Sequence, residues 1–163
     1  MFHVIKAGQA HATIIRDLVH QIYYPTYAEI LSPAQIDFML NKSYTIAALE
    51  SAMLDGQDFY LLQHDQDEKF VGFMALKSTN HAILKIEKLY LLPETQGKGC
   101  GKLMISYAEA VARATQKTSL ALNVNRGNKA YFFYLKQGFK VIQEIDIPYY
   151  GYVLDDYIME KEV

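Results

Sequence analysis

Cysteine is almost missing from this chain of 163 residues, where Cys100 stands alone. A lone thiol excludes an intramolecular disulfide and suits a reducing compartment. Also missing is any apolar run near the roughly 20 residues that a membrane-spanning helix needs. The opening, MFHVIKAGQAHATIIRDLV, has no charged region followed by an apolar stretch and a small-residue cleavage site. The expectation is a soluble, cytoplasmic protein with no membrane partner. Charge of one sign is scarce too: 16 Lys and Arg against 18 Asp and Glu leave a formal net charge of −2. Without a basic face or a like-charge run, no nucleic-acid partner is expected. The histidines (His3, His11, His20, His64, His81) show no H-x-x-x-H spacing and have no cysteine partners, so no metal is expected. Repeats, low-complexity segments and long linkers are absent as well.

What is present is enough apolar material for a packed core, 51% of residues, arranged in two periods. FHVIKA reads as a strand, and Ile14, Ile15, Leu18, Val19 and Ile22 then fall on one helical face. Pro25 and Pro33 punctuate the next segment, with SPAQIDFMLNK carrying a serine cap and a proline at the first helical position. A further helix is expected at about Thr45 to Leu54. From Phe59 the period shortens: DFYLLQH, KFVGFMALKST and HAILKIEKLYLLP read as successive strands. A helix comes next with Leu103, Met104, Tyr107, Ala108, Val111 and Ala112 as its stripe, then the buried-type strand SLALNVN. The helix NKAYFFYLKQG stops at Gly138, and FKVIQEIDI and YVLDDYIMEK close the chain as a strand pair. Residues 1–163 are expected to form a single mixed α/β domain.

The densest anomaly is LLPETQGKGCGKLM, where Gly97, Gly99 and Gly101 alternate with Lys98, Cys100 and Lys102. A nucleotide-binding P-loop needs Ser or Thr after Gly-Lys, but Leu103 follows Gly101-Lys102. The dinucleotide fingerprint G-x-G-x-x-G fails at Lys102 or at Met104, depending on its start. The readings left are a plain strand-to-helix turn and an anion cradle of converging main-chain N–H groups at a helix N-terminus.

The same residues resemble a known family. Gln96, Gly99 and Gly101 match [QR]-x-x-G-x-[GA], the acetyl-CoA-binding signature of the GNAT (Gcn5-related) N-acetyltransferases. Asn128, Ala130, Phe133, Tyr134, Gly138 and Phe139 are similar to that family's N-x-x-A-x-x-F-Y-x-x-x-G-F block. Order and separation of the blocks agree, and the element order matches across nearly the whole chain. The resemblance implies the acyl-CoA N-acyltransferase fold: a central, mostly antiparallel twisted sheet flanked by helices, α/β in class. It also implies acetyl-CoA as cofactor. Its pyrophosphate would lie on Gln96, Gly97, Lys98, Gly99, Cys100, Gly101 and Lys102, with Asn128 as a further contact. The amides of its pantetheine arm would pair with the strand edge at Leu89, Tyr90 and Leu91.

The implied reaction is acetyl transfer to a primary amine. The resemblance puts Tyr134 in the role of acid toward the leaving thiolate, a role that a phenol near its usual pKa of about 10 can fill. It makes Glu87 the candidate base, acting through water. Simple alternation would put Leu89 and Leu91 on Glu87's face of the strand. Tyr24, Tyr27, Tyr149 and Tyr150 lie in the two tyrosine-rich segments between which family substrates dock. Glu29, Asp146, Asp155 and Asp156 could supply negative charge to a cationic amine. DDYIMEK looks similar to the polyamine (spermidine/spermine) acetyltransferase branch. A protein N-terminal or peptide acetyltransferase, an aminoglycoside-type enzyme and a non-catalytic acyl-CoA sensor stay open, as does homodimerisation.

Overall fold

The computed structural model describes residues 1–163. Its strands are β1 (Phe2–Ala7), β2 (Asp58–His64), β3 (Phe70–Ser78), β4 (Ile83–Leu91), β5 (Ser119–Asn125), β6 (Lys140–Tyr149) and β7 (Tyr152–Glu162). They form one sheet in the order β1-β2-β3-β4-β5-β7-β6. Every neighbouring pair is antiparallel except β4 and β5, which run parallel. The helices are α1 (Ala12–Tyr27), α2 (Pro33–Ser43), α3 (Ile46–Leu54), α4 (Cys100–Ala114) and α5 (Ala130–Lys136). The mostly antiparallel α/β architecture expected from the sequence is the one observed.

The helices divide between the two faces of the sheet. Lys77 is in register with Lys85, and Lys85 with Ala121, so these side chains share a face. On that face Lys77 reaches Asp55, the residue that ends α3. Lys161 is in register with Leu120 on the opposite pleat and reaches Glu109 of α4 instead. Thus α1 to α3 cover the first face over β3 and β4, and α4 and α5 cover the second. No helix is long and apolar enough to cross a membrane.

Local chemistry explains the helix limits. The Ser32 hydroxyl accepts the Gln35 main-chain N–H at 3.1 Å with Pro33 inside the first turn, and Thr45 caps α3 in the same way through Ala48. Pro25, by contrast, does not end α1, which continues to Tyr27. The proline sits near the C-terminal end, where little helix remains to be disrupted. Thr26 folds its hydroxyl back onto the Ile22 carbonyl at 2.7 Å. The extra turn keeps Tyr23 and Tyr27 one turn apart on the same side of the helix. The stripe of α4 is shifted from the one its period suggested: Cys100, Met104, Ile105, Ala108 and Ala112 are buried, Tyr107 and Val111 pack half-buried against the core, and Leu103 is exposed.

Gly72 has a packing role that the sequence did not reveal. A Cβ there would lie 2.4 Å from Leu91 Cδ2 and 2.7 Å from the Tyr90 carbonyl oxygen. Only glycine lets β4 lie this close to β3 at the end of the strand that carries Tyr90. Gly72→Ala should therefore destabilise the fold by about 1–3 kcal/mol, read as a lower urea midpoint at unchanged m-value; an unchanged midpoint would contradict this close fit.

Candidate active site

β4 and β5 are hydrogen-bonded partners only from Ile83↔Ser119 to Ile86↔Leu122. Beyond that point both strands continue without pairing, β4 through Leu91 and β5 through Asn125. The parting leaves a fork in the middle of the sheet with main-chain donors and acceptors along both arms. Unpaired main-chain groups of this kind are costly unless something meets them. An extended ligand with amide groups, such as a pantetheine arm, fits the β4 arm as an added strand.

A bulge lies at the start of that arm. Ala75 faces Lys88 and the adjacent Leu76 faces Ile86, so Glu87 is the extra residue on β4. The bulge breaks the alternation assumed from the sequence. Lys88 lies over the rings of Tyr44 and Phe59, and Tyr90 also meets Tyr44, so both point toward α1 to α3. Glu87 stays near this face, 3.9 Å from the Lys85 ammonium. Leu89 and Leu91 alternate away to the α4 side, so they do not share Glu87's face as strict alternation had predicted.

The glycine loop leads from β4 into α4. Gly97 and Gly99 have φ of +77° and +74°, values that favour glycine, and neither would bring a Cβ against a neighbour. The first bond of the helix runs from the Leu103 N–H to the Gly99 carbonyl. The N–H groups of Gly97, Gly99, Cys100, Gly101 and Lys102 have no partner within the chain. This group of free donors at the positive end of a four-turn helix fits a pyrophosphate. Gly101 serves a different need: a Cβ there would lie 2.8 Å from Phe133 Cζ, so this glycine lets α5 pack on α4. Cys100 is buried, and that burial raises its thiol pKa against the opposing effect of Lys98, so it is a packing residue. Asn128 uses its side-chain oxygen to accept the Ala130 N–H at 2.9 Å, leaving its NH₂ free to donate. A surface hollow of about 210 Å³, lined by Met1, Phe2, Lys98, Gly99, Cys100 and Leu103, lies on the β1 side of this loop.

Tyr134 is buried on α5, edge-on to Phe133 and Phe139, and its hydroxyl bonds to no other group of the chain. Burial alone raises its pKa well above the ordinary phenol value, in contrast to the phenol near pKa 10 expected from the sequence. The higher value keeps Tyr134 protonated at any working pH but makes it a weaker acid. Its field reaches Tyr27 and Tyr90, which places it beside a cluster of buried phenols. The Tyr90 hydroxyl shares hydrogen bonds with Tyr27 at 3.0 Å and Tyr23 at 3.3 Å, while Tyr44 packs edge-on to Tyr23 and Tyr90.

The four tyrosines expected to meet the acceptor have different surroundings. Tyr27 belongs to the buried cluster. Tyr24 is exposed on α1 and donates to the Asp37 carboxylate. Tyr149 and Tyr150 sit at the β6–β7 turn, where Phe38 of α2 packs on Tyr149, Tyr150 and Tyr152 at 5.5–5.8 Å, and Lys42 covers the Tyr150 ring at 4.7 Å. α2 therefore bridges to the hairpin. Among the acidic candidates, Asp146 is taken up by Arg126 at 2.6 Å, and Asp155 accepts from Asn125 at 3.1 Å. Asp156 stays half-buried with a long contact to Asn123 (3.4 Å); desolvation raises its pKa, and Lys85 and Arg126 oppose that rise. Sequence reasoning missed Lys88 and Gln57. Lys88 donates to the Gln57 side-chain oxygen at 2.6 Å, and desolvation lowers its pKa to about 8. No periodicity marks a lysine as buried; the bulge turns it inward.

Comparison with known proteins shows the family to which the chain belongs. Residues 28–148 match the acetyltransferase (GNAT) domain. A spermidine N(1)-acetyltransferase of Thermoplasma acidophilum is 31% identical over 84% of this chain and 82% of its own length. The peptidyl-lysine N-acetyltransferase YjaB of Salmonella typhimurium is 32% identical over 71% of this chain and 73% of its own. Among solved structures, the PaiA N-acetyltransferase of Thermoplasma acidophilum in complex with coenzyme A superposes with a TM-score of 0.86. It is 25% identical and covers 100% of this chain and 99% of that one.

Lys88 leads to a test of the site's dryness. In the folded protein it loses its proton from about pH 8, against a reference value of 10.5. Between those values Lys88 holds more of its proton in the unfolded chain, so its contribution to stability should rise with pH across this window, by up to about 3 kcal/mol. The buried tyrosines act the other way as pH nears 10. Lys88→Met should abolish the rise. Urea midpoints at intervals from pH 7 to 10 check it, and parallel curves for the two proteins would refute the desolvated ammonium.

Proposed function

From the fact that this chain belongs to the GNAT acetyltransferase family, we propose that it acetylates a primary amine of a small aliphatic polycation of the polyamine type. As an acetyl-CoA-dependent N-acetyltransferase it needs a route for the donor, a seat for the acceptor and a path for protons. The observation that carries the reading is the pair of groups at one fork: a bulged, half-buried Glu87 on β4 and, on α5, the buried ring of Tyr134 with its hydroxyl left unbonded and accessible. The similarity to a spermidine acetyltransferase favours a polyamine acceptor. We also read residues 1–163 as one domain, since a single sheet takes strands from both ends of the chain. The free Cys100 thiol suits the cytoplasm.

Bound acetyl-CoA supplies the acetyl group as a thioester. On this reading the free N–H groups from Gly97 to Lys102 hold its pyrophosphate, with Gln96 and Asn128 beside them, and the β4 arm at Leu89, Tyr90 and Leu91 aligns its extended part. A main-chain N–H of that arm stabilises charge developing on the carbonyl oxygen. Glu87 draws a proton from the amine, directly or through water. Tyr134 donates a hydrogen bond to the sulfur as charge develops there. Full transfer from so weak an acid to a thiolate of ordinary pKa, about 8.5, is uphill, so the phenol steadies the leaving group while the amine's own proton completes the thiol. Asp156, together with Glu87, gives the acceptor face negative charge, and the α2–hairpin bridge through Phe38 walls it, with Tyr27, Tyr149 and Tyr150 on its margins and Tyr24 further out.

Thiol release with spermidine, spermine, aminoglycosides and short peptides tests the acceptor class: polyamines should give the highest kcat/KM. Preference for lysine peptides would favour the activity named for YjaB, and a raised Tm with acetyl-CoA but no turnover on any amine would mean a binding module. Tyr134→Phe should lower kcat about 10²- to 10³-fold with coenzyme A affinity kept, and equal activity would remove the role. Gly99→Asp adds bulk at φ +74° and a like charge beside phosphate, so calorimetry should detect no coenzyme A binding.

A further inference from the structure

We propose that Lys85 is an acceptor built into the fold, taking an acetyl group in cis from the donor at the β4–β5 fork. This rests on the roles proposed for Glu87 and Tyr134. Lys85 lies one residue before the last paired position of β4, Ile86↔Leu122, and so at the apex of the fork. Its register with Lys77 and Ala121 puts its side chain on the α1–α3 face, the face on which Glu87 lies and an acceptor amine would arrive. Its Nζ is 3.9 Å from Glu87 Oε2, and its charge is felt at Asp156. A tethered primary amine thus already stands beside the carboxylate proposed to accept an acceptor's proton. The donor's reacting end reaches the same place, because an arm laid along β4 from the glycine loop runs back from Leu91 toward Glu87. Tethering makes the encounter intramolecular, which raises the effective concentration of the amine far above that of a free one.

The other lysines that β3 and β4 place on this face are engaged elsewhere. Lys77 is paired with Asp55 at 2.9 Å, and this pairing raises its pKa. Lys88 loses its proton more readily but is held across β3 by Gln57 and the Phe59 ring, away from the fork. Lys85 makes only the long contact to Glu87, with its side chain 30% exposed. A pair so open holds weakly and leaves the amine free to move.

In the transfer, a C–N bond forms between Nζ and the acetyl carbon as the C–S bond breaks and sulfur takes the electron pair. Of the two protons lost by the ammonium, one goes to Glu87 and then to solvent. The other ends on sulfur, giving a free thiol with no change in redox state. The product amide is neutral, so Glu87 and Asp156 lose their internal counter-charge and the face becomes more negative toward a cationic acceptor.

The test incubates the whole protein with acetyl-CoA and no amine, then follows intact mass and maps lysines by peptide mass spectrometry. One acetyl group should appear on Lys85, at a rate independent of protein concentration, and added spermidine should slow it. Lys85→Arg should remove that acetylation, and Tyr134→Phe should slow it by the factor it imposes on amine turnover. Acetyl mapping to Lys77 or Lys88, a rate that scales with protein concentration, or a gain unaffected by Tyr134→Phe would each overturn the proposal. So would no gain in mass; if thiol is still released with amines in the same preparation, self-acetylation alone fails and the acetyltransferase reading stands.

Discussion

The parting of β4 from β5 after Ile86 and Leu122 is the constraint on which the rest of the structure depends. A parallel pair in the middle of a sheet ordinarily continues, because unpaired main-chain groups are costly. Here both strands run on apart. The extra residue at Glu87 explains how β4 turns aside: a bulge adds local twist and bends the strand that carries it. Gly72, on the other side, lets the diverted end of β4 lie tightly on β3. One strand thus gives up pairing with β5 and keeps its pairing with β3, which holds the exposed edge firmly in place.

The proton transfers proposed for the fork would go poorly in open water, and the phenol cluster packs apolar rings against one side of it. The hydroxyls of Tyr23 and Tyr27 meet that of Tyr90 on the β4 arm, the Tyr44 ring packs edge-on against Tyr23 and Tyr90, and desolvation raises all four well above the ordinary phenol range. Buried hydroxyls that satisfy each other specify a single packing. Tyr23 and Tyr27 both reach Tyr90 only because α1 continues through Pro25. The helix that looked as though it should stop early is the one that completes the cluster.

Most of the architecture was legible in the sequence because it depends on periodicity and caps. The shift from a 3.6 to a 2 period at Phe59, the Ser32 cap, the helix expected from about Thr45 and the Gly138 stop all correspond to real boundaries. The glycine loop could be recognised because positive φ and close packing both call for glycine. What could not be read were features set by register. Alternation placed Leu89 and Leu91 with Glu87, and the bulge undid that, turning Lys88 inward onto the face that Lys85 and Glu87 already share. Gly72 and Gly101 look alike in sequence, yet one admits a strand and the other an aromatic ring. Asp146, Asp155 and Asp156 were equivalent on paper until Arg126 and Asn125 engaged the first two.

Acidity links the fork to its chemistry. An aliphatic ammonium and a buried phenol are both weaker acids than a thiol of about 8.5. If the phenol were the net proton source, each turnover would leave a phenolate in an apolar pocket, where burial opposes that charge most strongly. If the amine is the source, its proton is lost in any case once the amide forms, and Tyr134 is never ionised. The same burial that weakens Tyr134 as an acid keeps its hydroxyl a donor at every working pH, with no competing bond inside the chain. On the roles proposed for Glu87 and Tyr134, a fork of this kind favours the acceptor that brings its own proton, and an ammonium meets that requirement beside a half-buried carboxylate.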